Sequence, residues 1–173
     1  QLYFKADDGI HGYELWTSDG ESNTHMLVDL CPGWRSSVVD YGYGKHIIRL
    51  KDHLYFTGRK DSLSGMEMYR TDGTDSGTGL FRDFDRTAYK SSYPRINSVS
   101  DSFITFYVYD SSASYALFRT DGYHAGTYRI GQDKDYPIGL LVGDNYNILN
   151  GKTFFGICTQ QAGCEYWLSD GSA

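Results

Sequence analysis

Three glutamates recur at matching positions in the 173-residue chain and are the first candidates for chemistry. Glu14, Glu67 and Glu165 each stand two residues before an aromatic side chain and five before an Asp-Gly pair. Two facing carboxylates could hydrolyse a glycosidic bond. However, a residue repeated in every unit serves the unit, whereas a catalytic pair should interrupt the repeat. We therefore expect these glutamates to bond a neighbouring strand or turn, and we expect the chain not to be an enzyme.

Aspartates offer oxygen ligands for a metal. Asp7 and Asp8 precede Gly9, and Asp-Gly pairs recur along the chain. Such carboxylates could bind calcium, but turn capping explains every copy, because an Asp side chain accepts bonds from the backbone amides that follow it. We expect no cofactor, with calcium as the alternative. The histidines fall at unrelated places in the units, which favours surface or loop roles over a metal site: His11, His25, His46, His53 and His124.

The cysteines point to an oxidising compartment. Cys158 and Cys164 flank the connection between two expected strands, where a hairpin should bring them together. A disulfide there implies a secreted or surface protein, and two free thiols are the alternative. Cys31 has no obvious local partner, so it either pairs elsewhere or stays reduced and buried.

A period of about 50 residues organises all these positions. Asp-Gly pairs begin at Asp19, Asp72, Asp121 and Asp170, which are 53, 49 and 49 residues apart. A fixed period of this length is typical of repeat architectures. An aromatic residue stands three positions ahead of each pair, and we expect this column to pack between neighbouring units: Trp16, Tyr69, Phe118 and Trp167.

The elements that position these residues are short strands. Each unit opens on an alternating segment such as Leu2-Tyr3-Phe4, continues through the Glu segment, and reverses at the Asp-Gly turn. Third strands are expected at 26–30, 79–84 and 127–130, and a fourth is expected to end each unit at 45–50, 95–99 and 145–149. Four antiparallel strands per unit predict β-propeller blades, while a β-sandwich is the alternative. Phe4, Phe56, Phe106 and Phe155 should be buried in equivalent positions, with Leu15, Met68, Leu117 and Tyr166 on neighbouring strands.

The number of units predicts a partial propeller. Units start near 2, 54, 103 and 152, so residues 1–173 hold three periods and an extra pair of strands in one repeat domain. Ring closure takes about 4 to 8 blades. We therefore expect a fragment of a longer chain, and a compact four-blade ring is the alternative.

Composition and charge restrict the classes of binding partner. The chain has 16 Tyr and 9 Phe, which favours strands. A net charge of -6 argues against nucleic acid and anionic membranes as partners. No apolar run approaches the roughly 20 residues of a membrane span.

The repeated motif resembles that of the ELWxxDGT repeat family. The segment from Glu14 to Gly20 reads Glu-Leu-Trp-Thr-Ser-Asp-Gly, and the segment from Asp72 to Thr78 matches the second half of the motif throughout. The third unit departs from it with Ala116 for Glu and Tyr123 for Thr. The resemblance implies a secreted or surface protein with propeller-like blades, and it implies no common catalytic activity.

Loops between the units hold the remaining candidates. Amphipathic rings and Arg are enriched at protein interfaces, and the candidate contacts for a partner or glycan are Trp34, Arg35, Tyr41, Tyr43, Tyr89, Tyr93 and Tyr136. We expect a non-enzymatic structural or adhesion module of an extracellular assembly, contacting other chains or further blades of its own parent chain. A lectin-like propeller is the alternative. A third hypothesis is part of a secreted enzyme whose active site lies outside these residues.

Overall fold

A computed structural model describes residues 1–38, 47–61, 63–85, 90–110, 114–130, 147–150, 152–159 and 163–170. These residues form an all-β structure of four antiparallel sheets without a helix. Accordingly, the described segments include no helix with the length and hydropathy of a membrane span. The expected all-β class is confirmed at this level.

The sheets follow one another in chain order. Sheet 1 has the order β1-β2-β3, sheet 2 β4-β5-β6-β7, sheet 3 β11-β10-β9-β8, and sheet 4 β12-β13-β14. The strands are β1 Leu2–Asp7, β2 Tyr13–Ser18, β3 Thr24–Val28, β4 Ile47–Leu50, β5 His53–Gly58, β6 Glu67–Thr71, β7 Gly79–Arg82, β8 Arg95–Val99, β9 Ile104–Asp110, β10 Ser114–Thr120, β11 Tyr128–Arg129, β12 Asn147–Leu149, β13 Lys152–Thr159 and β14 Gly163–Ser169.

The strand expected to end each unit pairs with the unit that follows it. β4 pairs with β5, so that Leu50 lies opposite His53 across a two-residue connection. Lys51 in this connection has a φ of 54°, and Asn150 in the equivalent connection has a φ of 51°. A two-residue loop can only join neighbouring antiparallel strands. The assignment of the fourth strand to the preceding unit is therefore wrong, because the tight turn fixes its pairing.

The four sheets share one register. In each sheet the Phe of the first motif strand lies directly opposite the aromatic residue of the Glu strand. These cross-strand pairs are Phe4–Trp16, Phe56–Tyr69, Phe106–Phe118 and Phe155–Trp167. Because side chains alternate across a strand, each sheet has two distinct faces. We call the face with these pairs the rear face, and the face with Leu15, Met68, Leu117 and Tyr166 the forward face.

Each forward face packs on the rear face of the next sheet. Leu15 and Leu27 of sheet 1 contact Phe56 and Tyr69 of sheet 2 in one buried cluster. The largest cluster joins the forward face of sheet 2 to the rear face of sheet 3: Leu50, Tyr55, Met68, Phe81, Ile96, Ile104, Phe106, Val108 and Ala116. The last cluster joins Tyr107, Leu117 and Ile130 of sheet 3 to Phe155 of sheet 4. Tyr69 and Phe118 of the aromatic column pack between sheets, as expected. Trp16 is half-buried on the rear face of sheet 1 and Trp167 is 39% exposed, so the expectation is wrong for these two.

Burial of the two columns follows this packing. Phe56 and Phe106 are fully buried and Phe155 is 4% exposed, as predicted. The prediction that Phe4 is buried is wrong, since this side chain is only half-buried. Tyr166 lies on the neighbouring strand of sheet 4, as predicted, and is 67% exposed. These two residues lie on the two outer faces, which no other described sheet covers: the rear face of sheet 1 and the forward face of sheet 4.

We predict that Phe106→Ala will lower the free energy of unfolding by ~3 to 5 kcal/mol, because it opens a cavity where sheets 2 and 3 meet. Urea denaturation followed by tryptophan fluorescence measures this change. The control is Leu63→Ala, which leaves every tryptophan fluorophore in place. Because the Leu63 side chain is 63% exposed, its removal should lower the free energy of unfolding far less. Equal losses for the two variants would contradict the packing of the rear face.

Candidate interaction surface

The buried carboxylate of Glu14 fastens two later segments to sheet 1. It accepts hydrogen bonds from the backbone amides of Leu30, at 3.2 Å, and Ser37, at 3.1 Å. The Ser37 hydroxyl donates a third, short bond to the same carboxylate. Ser37 also reaches the next sheet, since its carbonyl oxygen accepts a bond from the backbone amide of Arg59 at 3.0 Å.

Glu67 repeats this arrangement one unit later. Its carboxylate accepts bonds from the backbone amides of Phe84, at 3.0 Å, and Ser92, at 2.9 Å, and from the Ser92 hydroxyl. The Ser92 carbonyl then accepts the backbone amide of Tyr109 in sheet 3 at 2.6 Å. We call each such unit, Glu14 with Ser37 and Glu67 with Ser92, a carboxylate clamp.

The clamps confirm the structural role expected of the glutamates in the first two units. Burial raises the pKa of Glu14 and Glu67 above the ordinary value of 4.5, and bonds from serine and backbone amides offset part of that rise. In the third unit Ala116 takes the place of the carboxylate and is buried, while Glu165 in the fourth is exposed. Sequence reasoning missed Ser37 and Ser92. The signal that could have found them is the pair of Ser-Ser dipeptides at 36–37 and 91–92.

The Asp-Gly turns are capped as expected. Asp72 accepts bonds from the backbone amide of Thr74 at 2.9 Å and from its hydroxyl at 2.7 Å. Asp19 and Asp121 likewise accept the amide two residues ahead, at 2.9 and 3.0 Å. The bonds to Asp19 and Asp72 lower the pKa of both carboxyls. These three carboxylates therefore hold the turns.

The first connection is closed by Asp8 and His11. The Asp8 carboxylate accepts the backbone amides of Ile10 and His11 at 2.9 Å and lies 2.7 Å from Nδ1 of His11. These bonds from His11 and Ile10 lower the pKa of Asp8 to about 2, and the same contact raises the pKa of His11. Asp7 caps Gly9 at 2.7 Å. Within the described residues no three His, Cys, Asp or Glu side chains form a metal-binding group. The expectation of no cofactor stays a prediction, with calcium as its alternative.

The cysteines lie in two different environments, a cross-strand pair and a buried site. β13 and β14 put Cys158 directly opposite Cys164 in the register of sheet 4. The side chain of Cys158 lies outside the described residues, so the disulfide stays a prediction. Cys31 is a buried free thiol, and burial raises its pKa. This agrees with the reduced, buried alternative for Cys31.

Trp34 is presented on a loop that packs closely against sheet 1. Gly12 has a φ of 69°, and a Cβ there would meet Ser36 N and Trp34 O at 2.8 Å. The Ser36 hydroxyl accepts the backbone amide of Tyr13 at 3.0 Å. On this support the Trp34 ring is 77% exposed.

Of the predicted contact residues, the structure brings Trp34 and Arg35 together. The guanidinium carbon of Arg35 lies 5.2 Å from the centre of the Trp34 ring, and the side chain of Arg35 is exposed. Tyr93 is 38% exposed in the loop before β8. The remaining candidates lie outside the described residues: Tyr41, Tyr43, Tyr89 and Tyr136.

A second apolar surface was not expected from the sequence. On the forward face of sheet 4 Tyr166 is 67% exposed, Leu168 56% and Phe154 39%. The rings of Phe154 and Tyr166 stack nearly parallel, with their centres 5.1 Å apart. Exposed apolar patches of this kind mark contact sites.

Comparisons with protein-family models, curated proteins and solved structures give no match to this chain. The resemblance to the ELWxxDGT repeats therefore rests on the motifs alone and stays a prediction.

We predict that Glu67→Gln will destabilise the fold by about 1–3 kcal/mol, because an amide cannot accept all three bonds of the clamp. The pKa of Glu67 is raised in the folded state, so its contribution to stability is fully present below pH 4.5 and is lost as the pH rises through the folded-state pKa. The stability gap between wild type and Glu67→Gln should therefore be wider below pH 4.5 than near neutrality.

Urea titrations at the two pH values measure this gap. Glu165→Gln is the matched control at an exposed carboxylate of the same column and should leave stability unchanged. A gap that does not depend on pH, or that widens towards neutral pH, would contradict the burial of the Glu67 carboxylate.

Proposed function

We propose that this chain is a non-enzymatic interaction module of a secreted or cell-surface protein and binds other protein chains. The observation that carries the proposal is the Trp34–Arg35 pair, in which an exposed indole and a guanidinium lie together on a loop that packs closely against sheet 1. Trp and Arg are the residues most often found at the energetic centres of protein interfaces. A preorganised loop also lowers the entropy cost of binding.

The clamps support the non-enzymatic part of the proposal. Glu14 and Glu67 recur at the position where paired carboxylates would suggest hydrolysis, yet both are buried and engaged by three donors each. A carboxylate so occupied lacks access to a substrate. Among the described residues, these two carboxylates are thus structural, and the alternative of an active site elsewhere in a parent protein is tested below.

We further propose that the sheets form a propeller-like array. The support is a contact that recurs between successive sheets. A Cβ added at Gly73 would lie 2.5 Å from the Tyr3 hydroxyl, and one added at Gly122 would lie 3.0 Å from the Tyr55 hydroxyl. Tyr3 and Tyr55 are equivalent residues, as are the two glycines, so sheets 1 and 2 each reach the turn of the next sheet in the same way. The blades of a propeller follow one another through the same repeated contact.

The test of binding uses the purified chain and its Trp34→Ala variant, each immobilised and cross-linked to proteins of the native extracellular material. We expect the wild-type chain to retain a defined protein partner and Trp34→Ala to lose it. Leu63→Ala, at an apolar side chain elsewhere that is 63% exposed, should retain it. A glycan array run in parallel distinguishes the lectin-like alternative: glycan binding that depends on Trp34, with no protein partner, would overturn the proposal. Polysaccharide turnover by the parent protein would do the same.

We also propose a disulfide between Cys158 and Cys164, because disulfides persist in the proposed extracellular location. Directly opposite residues of an antiparallel pair have Cα atoms about 4.5–5.5 Å apart, within the range that a disulfide spans. We predict that both cysteines resist alkylation until a reductant is added, and that Cys158→Ser lowers stability by ~2 kcal/mol, because it releases a short loop in the unfolded chain.

Alkylation followed by mass spectrometry measures the first effect and urea denaturation the second. Cys31 is the internal control, because a buried thiol reacts on unfolding whether or not a reductant is present. Native protein in which Cys158 and Cys164 alkylate without reductant would contradict the bridge.

A further inference from the structure

The interfaces between successive sheets all have the same direction. In every case the forward face of one sheet meets the rear face of the next, and the same columns are used each time. Leu15, Met68 and Leu117 of the forward column are 0%, 0% and 1% exposed in these interfaces. Tyr166 stands in the same column of sheet 4 and is 67% exposed. Sheet 4 therefore presents to solvent a surface that the preceding sheets use for binding a neighbour.

The opposite end of the array presents the complementary surface. On the rear face of sheet 1, Phe4 lies opposite Trp16 and both are only half-buried. Leu2, on the same face, is 63% exposed. The equivalent pair in sheet 2, Phe56 and Tyr69, is buried under the forward face of sheet 1.

The Asp-Gly turn of sheet 1 is also left uncovered by any neighbouring side chain of the described residues. Gly20, Gly73 and Gly122 share positive φ values of 86°, 96° and 97°. Tyr3 and Tyr55 of the preceding sheets cover Gly73 and Gly122, whereas nothing lies within 4 Å of a Cβ added at Gly20. The docking position for an aromatic residue of a preceding sheet is thus built and free at Gly20. Phe154 occupies the place of Tyr3 and Tyr55 in sheet 4.

We propose that the forward face of sheet 4 binds the rear face of sheet 1 of a second copy of this chain. The occupant is a second copy because its rear face continues an interface that the chain already forms between its own sheets. Phe154, Tyr166 and Leu168 of one copy meet Leu2, Phe4 and Trp16 of the other. The association is head-to-tail, since two different surfaces pair, and such contacts build rings or open chains. This inference rests on the proposed propeller-like array.

The test is sedimentation velocity of the purified wild-type chain over a wide range of concentration. We expect reversible association, and we expect Tyr166→Asp and Leu2→Asp each to weaken it by at least ~10-fold, because each places a charge in an apolar contact. Tyr123→Asp and Leu63→Asp are matched controls, at side chains 65% and 63% exposed outside these faces, and should associate like wild type. Circular dichroism establishes that all four variants fold.

Mixing the two blocked variants tests the polarity. Tyr166→Asp retains an intact rear face on sheet 1, and Leu2→Asp retains an intact forward face on sheet 4, so an equal mixture should form a one-to-one complex. Wild type that stays monomeric, or blocked variants that still associate by themselves, would overturn the inference. A monomeric chain that nevertheless retains a protein partner through Trp34 would leave the proposed function standing, so the two failures are distinguishable.

Discussion

The order of the sheets depends on a carboxylate that is buried where a charge is costly. The free-energy cost of removing Glu14 from water is offset by three donors, two of which are backbone amides. The same bonds fix Ser37, whose carbonyl extends to Arg59 in the next sheet. One side chain thus joins the Glu strand, the end of the third strand and the neighbouring sheet. Glu67 does the same between sheets 2 and 3.

The third unit lacks this carboxylate, because Ala116 stands in its place. Ala116 is buried in the cluster between sheets 2 and 3, where a small side chain allows close packing against Phe106. Sheet 4 is joined to sheet 3 through a smaller apolar cluster centred on Leu117 and Phe155. The two earlier links combine apolar contact with a clamp, and in the third unit the buried Ala116 takes the place of the clamp carboxylate.

Much of the fold could be predicted from the sequence, because the Phe and aromatic columns are set by the alternation of strand side chains and recur in register. The pairing of β4 could not, since hydropathy does not say which neighbour a strand joins and the two-residue turn at Lys51 decides it. Ser37 and Ser92 were missed because they lie in loops outside the alternating strand pattern, where only the repeated Ser-Ser dipeptides mark them. The partial exposure of Phe4 was missed for a different reason. A column predicts which face a residue occupies, but burial also requires a neighbour on that face.

The burial of the repeated residues indicates where in a repeat protein a binding site can lie. Positions that recur are engaged in folding, as the occupied carboxylates of Glu14 and Glu67 illustrate. The proposed binding then falls to residues that depart from the pattern, such as Trp34 on its loop, and to exposed column residues, such as Tyr166. The proposed second site needs no separate origin, because it uses the same apolar column that closes each internal interface. Stability and recognition then draw on the same residues, separated only by their place in the array.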